Sequence, residues 1–237
     1  LTIFKPLACA VALAIIAAVA APSGAAQAAV GSSDQASSDQ TSGAQTSSPP
    51  ACADSAYNLT GPRWQETLEW SFNAASTPSR LSRTAVVDVL KRAFSNITTA
   101  NNDCGLVVVL AASARYIGTT TRSAKCNSYD GHNVISFRDL PSGTMARTCW
   151  WSIGGRLVEA DIQINRSKAW SLATGSCSRE PLLEATMTHE VGHAFGLNHV
   201  AESDHGRLTM SPVLDGLCNN AESTLGLGDI LGLKQLY

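Results

Sequence analysis

Apolar residues Leu81, Ala85, Val89, Ala93, Phe94 and Ile97 recur at three- and four-residue intervals between Ser79 and Thr98, the spacing of a long amphipathic helix lying against a sheet. Thr67–Phe72 has the composition of a strand. Leu106–Ala112 is rich in β-branched residues and predicts a buried strand, and Asn133–Phe137 predicts a shorter one. Leu157–Asn165 alternates Leu, Glu, Asp and Gln with Val, Ala, Ile and Ile, which places Glu159 and Asp161 together on the solvated side of a further strand. Pro181–Phe195 predicts a second helix ended by Gly196, and Gly228–Leu236 a closing helix. The pattern as a whole is α+β.

The N-terminal pattern is different. Lys5 precedes an apolar run, Leu7 to Ala21, and Ala26-Gln27-Ala28 has the form of a signal-peptidase site, so residues 1–28 are expected to be a signal peptide and the protein to be secreted, extracellular and matrix- or cell-wall-associated at most. The run falls short of the roughly 20 residues that span a bilayer, so no stable membrane insertion is expected after cleavage. Residues 29–50, rich in Ser, Gln and Thr, have almost nothing to bury and are expected to be a disordered linker. Residues 51–237 are then the folded domain, long enough for a single core, with no internal repeat.

A net charge of −2 supplies no reason for a nucleic-acid partner; proteins or peptides acted on by a monomer are the expected partners. Of the seven cysteines, Cys9 leaves with the signal peptide. The even remainder, Cys52, Cys104, Cys126, Cys149, Cys177 and Cys218, predicts three disulfides in an exported chain, and spacing favours Cys126 with Cys149 and Cys177 with Cys218. No C-x-x-C pair exists among them to suggest a zinc knuckle.

Four of the five histidines, His189, His193, His199 and His205, fall in one short stretch. His189 and His193 lie four residues apart, one helical turn, so both imidazoles reach a single ion, with Glu190 beside them. On a continuous helix His199 would be rotated about 240° from His193 and carried roughly 9 Å along the axis. The helix must therefore break, and Gly196 supplies a residue that tolerates the left-handed conformation. Three imidazoles without a fourth protein ligand describe one catalytic Zn2+, with Glu190 as the general base that takes a proton from water and returns it to the leaving amine. His205 lies past the third ligand in a polar stretch and reads as a loop residue; His132 has no assigned role.

His189-Glu190-Val191-Gly192-His193-Ala194-Phe195-Gly196-Leu197-Asn198-His199 resembles the H-E-x-x-H-x-x-G-x-x-H signature of the metzincin zinc peptidases, and Val191-Gly192 and Gly196-Leu197 resemble its matrixin branch. Leu208-Thr209-Met210-Ser211-Pro212 is similar to the family's Met-turn, Leu227 to Tyr237 to its closing helix, and Trp64, Leu68 and Trp70 to its opening strand. The likeness extends over residues 57–237. It implies a metzincin-type zincin domain: a twisted, mixed five-stranded sheet with a long N-terminal helix, an active-site helix and a C-terminal helix. It also implies that Met210 floors the zinc site, that the stretch beginning Pro212-Val213 shapes the pocket for the residue after the scissile bond, and that Met145 and Ala146 lead into an edge strand that holds extended substrate.

The departures from the family carry their own expectations. Arg147 and Ile162 stand where two ligands of a second, structural zinc would align, so that ion is not expected. Asp130-Gly131 alone is too short a cue to support Ca2+. The short stretch between the expected cleavage site and the domain is not expected to hold a folded prodomain, and Cys52 as a zinc-blocking thiol would leave another cysteine unpaired, so the disulfide reading is preferred. The function expected is a secreted zinc metalloendopeptidase. Its rivals are a protease restricted to processing one partner and a non-catalytic binding module that keeps zinc for stability; Glu190 and the open fourth position favour the enzyme.

Overall fold

The computed structural model describes residues 10–11, 50–213 and 217–237. The expected signal peptide and linker accordingly lie outside the described residues, except for Ala10, Val11 and Pro50. In chain order the elements are β1 (Ala10–Val11), α1 (Pro50–Ala53), β2 (Asn58–Leu59), β3 (Leu68–Phe72), α2 (Arg83–Thr98), β4 (Ala114–Thr119), β5 (Asn133–Arg138), β6 (Ala146–Ile153), β7 (Arg156–Asn165), α3 (Leu183–Ala194), β8 (Leu197–Asn198), α4 (Glu202–His205) and α5 (Leu227–Leu236). Five longer strands form a mixed sheet in the order β6-β7-β5-β3-β4, to which the two residues of β1 add outside β6. β4, β3, β5 and β7 run parallel, whereas β6 is antiparallel to β7.

α2 starts where Ser82 Oγ accepts the Ala85 N–H, a side-chain cap for an otherwise unpaired donor. Its buried face, Val86, Val89, Leu90, Ala93, Phe94 and Ile97, covers the sheet, and Phe94 stacks on Trp70 of β3 with ring centroids 4.4 Å apart. α3 packs against α2 and against β6 and β7. That arrangement puts one end of α3 beside the sheet's antiparallel edge.

Leu106–Ala112 is not a strand. Val107 and Val109 are 98% and 90% exposed, and the segment leans on the C-terminus, the Ala111 N–H donating to the Tyr237 carbonyl. The ladder partner of β3 is instead the following stretch, β4. An apolar run reports a tendency to be buried but carries no information about which backbone will pair with it.

Glu159 and Asp161 are also placed otherwise than their alternation suggests: they are 0% and 1% exposed. The loop between β4 and β5 folds over their face of β7. Glu159 Oε2 accepts the main-chain N–H groups of Asp130, Gly131 and His132, and Asp161 those of Lys125 and Val134. Burial raises both carboxyls, Asp161 to about 7, against the pull of these amide donors.

Three disulfides close the fold: Cys126–Cys149 and Cys177–Cys218, the two that spacing favoured, and Cys52–Cys104. Cys52 is therefore tied to Cys104 and is no blocking thiol. The Cys126–Cys149 bond fastens the loop over Glu159 and Asp161 to β6.

Candidate metal centre and active site

α3 is buried along nearly its whole length, so its histidines project into protein and not into bulk water. His189 Nδ1 donates to the Thr209 carbonyl at 2.7 Å and His193 Nδ1 to the Leu197 carbonyl at 3.0 Å. Each bond fixes the tautomer and leaves the Nε2 lone pair free. Burial holds all three imidazoles below their ordinary pKa, His193 at about 3, so they are neutral at neutral pH, the form that can bind a metal.

The helix ends at Ala194 and Gly196 takes φ +94°, with its N–H bonded to the His193 carbonyl. A Cβ at Gly196 would lie 2.7 Å from the Pro62 carbonyl oxygen, so the turn is closed to any other residue by the chain packed against it as well as by its dihedral. β8 follows and pairs antiparallel with β2, where Asn58 Nδ2 donates to the His199 carbonyl at 2.8 Å. These contacts return His199 to the centre. The Nε2 atoms of His189, His193 and His199 are each 3.0 Å from the other two. Lone pairs converging at that distance repel one another unless a cation lies among them, so the donor set fits a metal ion, and all three ligand atoms could hold one.

Glu190, one residue beyond His189, is buried. Its carboxylate Oε2 accepts the Thr148 hydroxyl at 2.5 Å. Burial raises the Glu190 carboxyl to about 7, opposed by the Thr148 hydrogen bond and the positive charge of Arg147. Met210 is buried under α3, its sulfur so close that a Cβ at Gly192 would lie 2.5 Å from it. Asp229 of α5 holds this turn: its carboxylate accepts the N–H groups of Thr209 (3.0 Å), Met210 (3.2 Å) and Gly226 (2.9 Å). Thr148, Asn58 and Asp229 have no motif of their own, and only their contacts identify them.

Met145 and Ala146 are buried, Ala146 opening β6. The outer edge of β6 takes β1 antiparallel, Ala10 opposite Trp150 and Val11 opposite Cys149. Pro212, which closes the turn after Met210, and Val213 are half-buried. Arg147 lies across from Gln163, whose Oε1 accepts its guanidinium at 2.6 Å, whereas Ile162 lies across from Thr148 on the opposite face. The side chain that shares a face with Arg147 is thus Gln163, not Ile162. His205 ends α4 and its Nδ1 lies 2.9 Å from Asp54 Oδ2, so it joins the start of the domain to that helix and takes no part in the centre.

Two histidines on one buried helix, a third returned by a glycine turn and an adjacent carboxylate together fit a metallohydrolase of the zinc-peptidase class. A family model, Matrixin (peptidase family M10), matches residues 63–237, and the chain belongs to this family of zinc metalloendopeptidases. No curated protein matches the chain.

Proposed function

We propose that the protein is a secreted endopeptidase that hydrolyses internal bonds of protein substrates, with His189, His193 and His199 as the zinc ligands and Glu190 as the general base. The convergence of three Nε2 atoms beside the Glu190 carboxylate carries this reading. Zinc held there supplies a Lewis acid that makes water more acidic and polarises a peptide carbonyl. Glu190 takes the proton of the attacking water and passes it to the leaving amine, and a carboxyl lifted by burial suits both halves of that transfer. The outer edge of β6 binds substrate main chain in extended form, a mode supported by the antiparallel pairing of Ala10–Val11 along it. Pro212 and Val213 border the pocket for the residue after the scissile bond. Secretion is supported by three disulfides and by the lack, among the described residues, of any helix long and apolar enough to cross a membrane.

The test is Glu190→Gln assayed on casein and on a quenched-fluorescence peptide, with zinc content measured alongside. Activity is expected to fall by at least ~100-fold while about one zinc per chain is retained. An active variant would refute the role of Glu190. Failure of the parent protein to cleave would favour a zinc-stabilised binding module, and cleavage indifferent to a chelator would refute zinc-dependent hydrolysis.

A further inference from the structure

β6 turns Ala146, Thr148 and Trp150 toward α3, and all three are buried. Thr148 is the polar member of this set. A valine would fill the same volume with an equal preference for strand, and it would bury no hydroxyl. A buried hydroxyl costs stability unless it is hydrogen-bonded, so its presence points to its partner. That partner is Glu190, through carboxylate Oε2 at 2.5 Å and the main-chain oxygen at 3.0 Å. The hydroxyl has one proton, and the charged acceptor at the shorter distance takes it. Among the described residues Thr148 is the hydrogen-bond partner of this carboxylate.

We infer that Thr148 is a positioning residue for the general base: its hydroxyl holds Glu190 Oε2 and leaves Oε1 as the oxygen that meets the attacking water. The inference rests on the reading of Glu190 as base. A glutamate reaches its carboxylate through three rotatable bonds, and the strand fixes Thr148 far more tightly than helix α3 alone fixes the end of Glu190. A hydroxyl also suits a group whose protonation changes during the reaction. It donates to Oε2 of the charged carboxylate, and once Oε1 carries the proton taken from water Oε2 is still an acceptor, so the contact persists until the proton leaves with the amine.

The experiment compares Thr148→Ser, Thr148→Ala and Thr148→Val in the zinc-loaded full chain. Serine and alanine differ by one oxygen, so any loss of packing common to both cancels in the comparison. Alanine and valine are expected to lower kcat by about 10- to 100-fold with KM changed less than ~2-fold, whereas serine recovers kcat to within ~3-fold. Equal kcat for alanine and serine, or a loss confined to KM, overturns the inference. In the metal-free protein, Thr148→Ala and Glu190→Ala are expected to be non-additive in Tm, and additive shifts would equally overturn it. Glu190→Gln run in parallel separates the two ideas. If that variant is active, the base reading fails; if it is inactive with zinc bound while Thr148→Ala is fully active, only the positioning role fails.

Discussion

At Gly196 one residue decides whether three histidines make one site. Its φ of +94° and the Pro62 carbonyl 2.7 Å from where a Cβ would sit are both needed to turn the chain out of α3 and bring His199 back. Gly196→Ala is expected to destabilise the protein by at least ~2 kcal/mol, combining the left-handed penalty with the clash. It should also weaken zinc binding in a chelator-competition titration, while His205→Ala, remote from the centre, leaves zinc binding at the parental value. Unchanged zinc affinity in Gly196→Ala would show that His199 reaches the ion without this turn. The three proposed ligands, Glu190 and Gly196 are legible in the sequence because their positions follow from helix geometry, which is local. Thr148 is not, since its partner lies 42 residues away and nothing local distinguishes it from any strand threonine.

Between elements, the Met-turn depends on α5. Asp229 satisfies three main-chain donors, two of them in that turn, and Thr209 in turn supplies the carbonyl that orients His189. Asp229→Ala leaves these N–H groups buried without an acceptor, and a loss of about 3 kcal/mol or more is expected in denaturant unfolding. If zinc affinity falls with it, the orientation of His189 is transmitted from α5 through the turn; a loss of stability with zinc affinity intact would confine Asp229 to folding. The elements themselves were mostly visible: α2, α3, α5, β3, β5 and β7 follow their periodicities to within a few residues at the ends. β4 was displaced into Leu106–Ala112, because hydrophobicity marks that run while the alternating stretch Ala114–Thr119 lies at an edge and buries little. β6 was visible only through the family likeness.

Over the whole molecule, the loop between β4 and β5 turns one face of β7 from surface into interior and encloses two carboxyls there. Asp161, raised to about 7 from an ordinary value near 4, makes folding depend on pH. Because its folded-state pKa lies above the unfolded one, its stabilising contribution is fully present below about pH 4 and is lost as pH rises through about 7. On the order of 4 kcal/mol is involved. The stability difference between the parent protein and Asp161→Asn should accordingly change in the variant's favour between pH 4 and 8. A difference that is flat with pH would remove Asp161 as the titrating group.

The sequence alone indicated the α+β class, the candidate metal ligands, the proposed base and the glycine turn, and its spacing favoured two of the three disulfides found among the described residues. Each of these depends on residue types at short separations, where the backbone leaves few choices. The tertiary structure alone decided what covers each surface: that Glu159 and Asp161 are interior, that Val107 and Val109 are exposed, that Gln163 and not Ile162 faces Arg147, and that Thr148 and Asp229 stand behind Glu190 and the Met-turn. Those outcomes depend on which distant segments meet, and side-chain alternation along one strand records its two faces without recording what comes to lie over them.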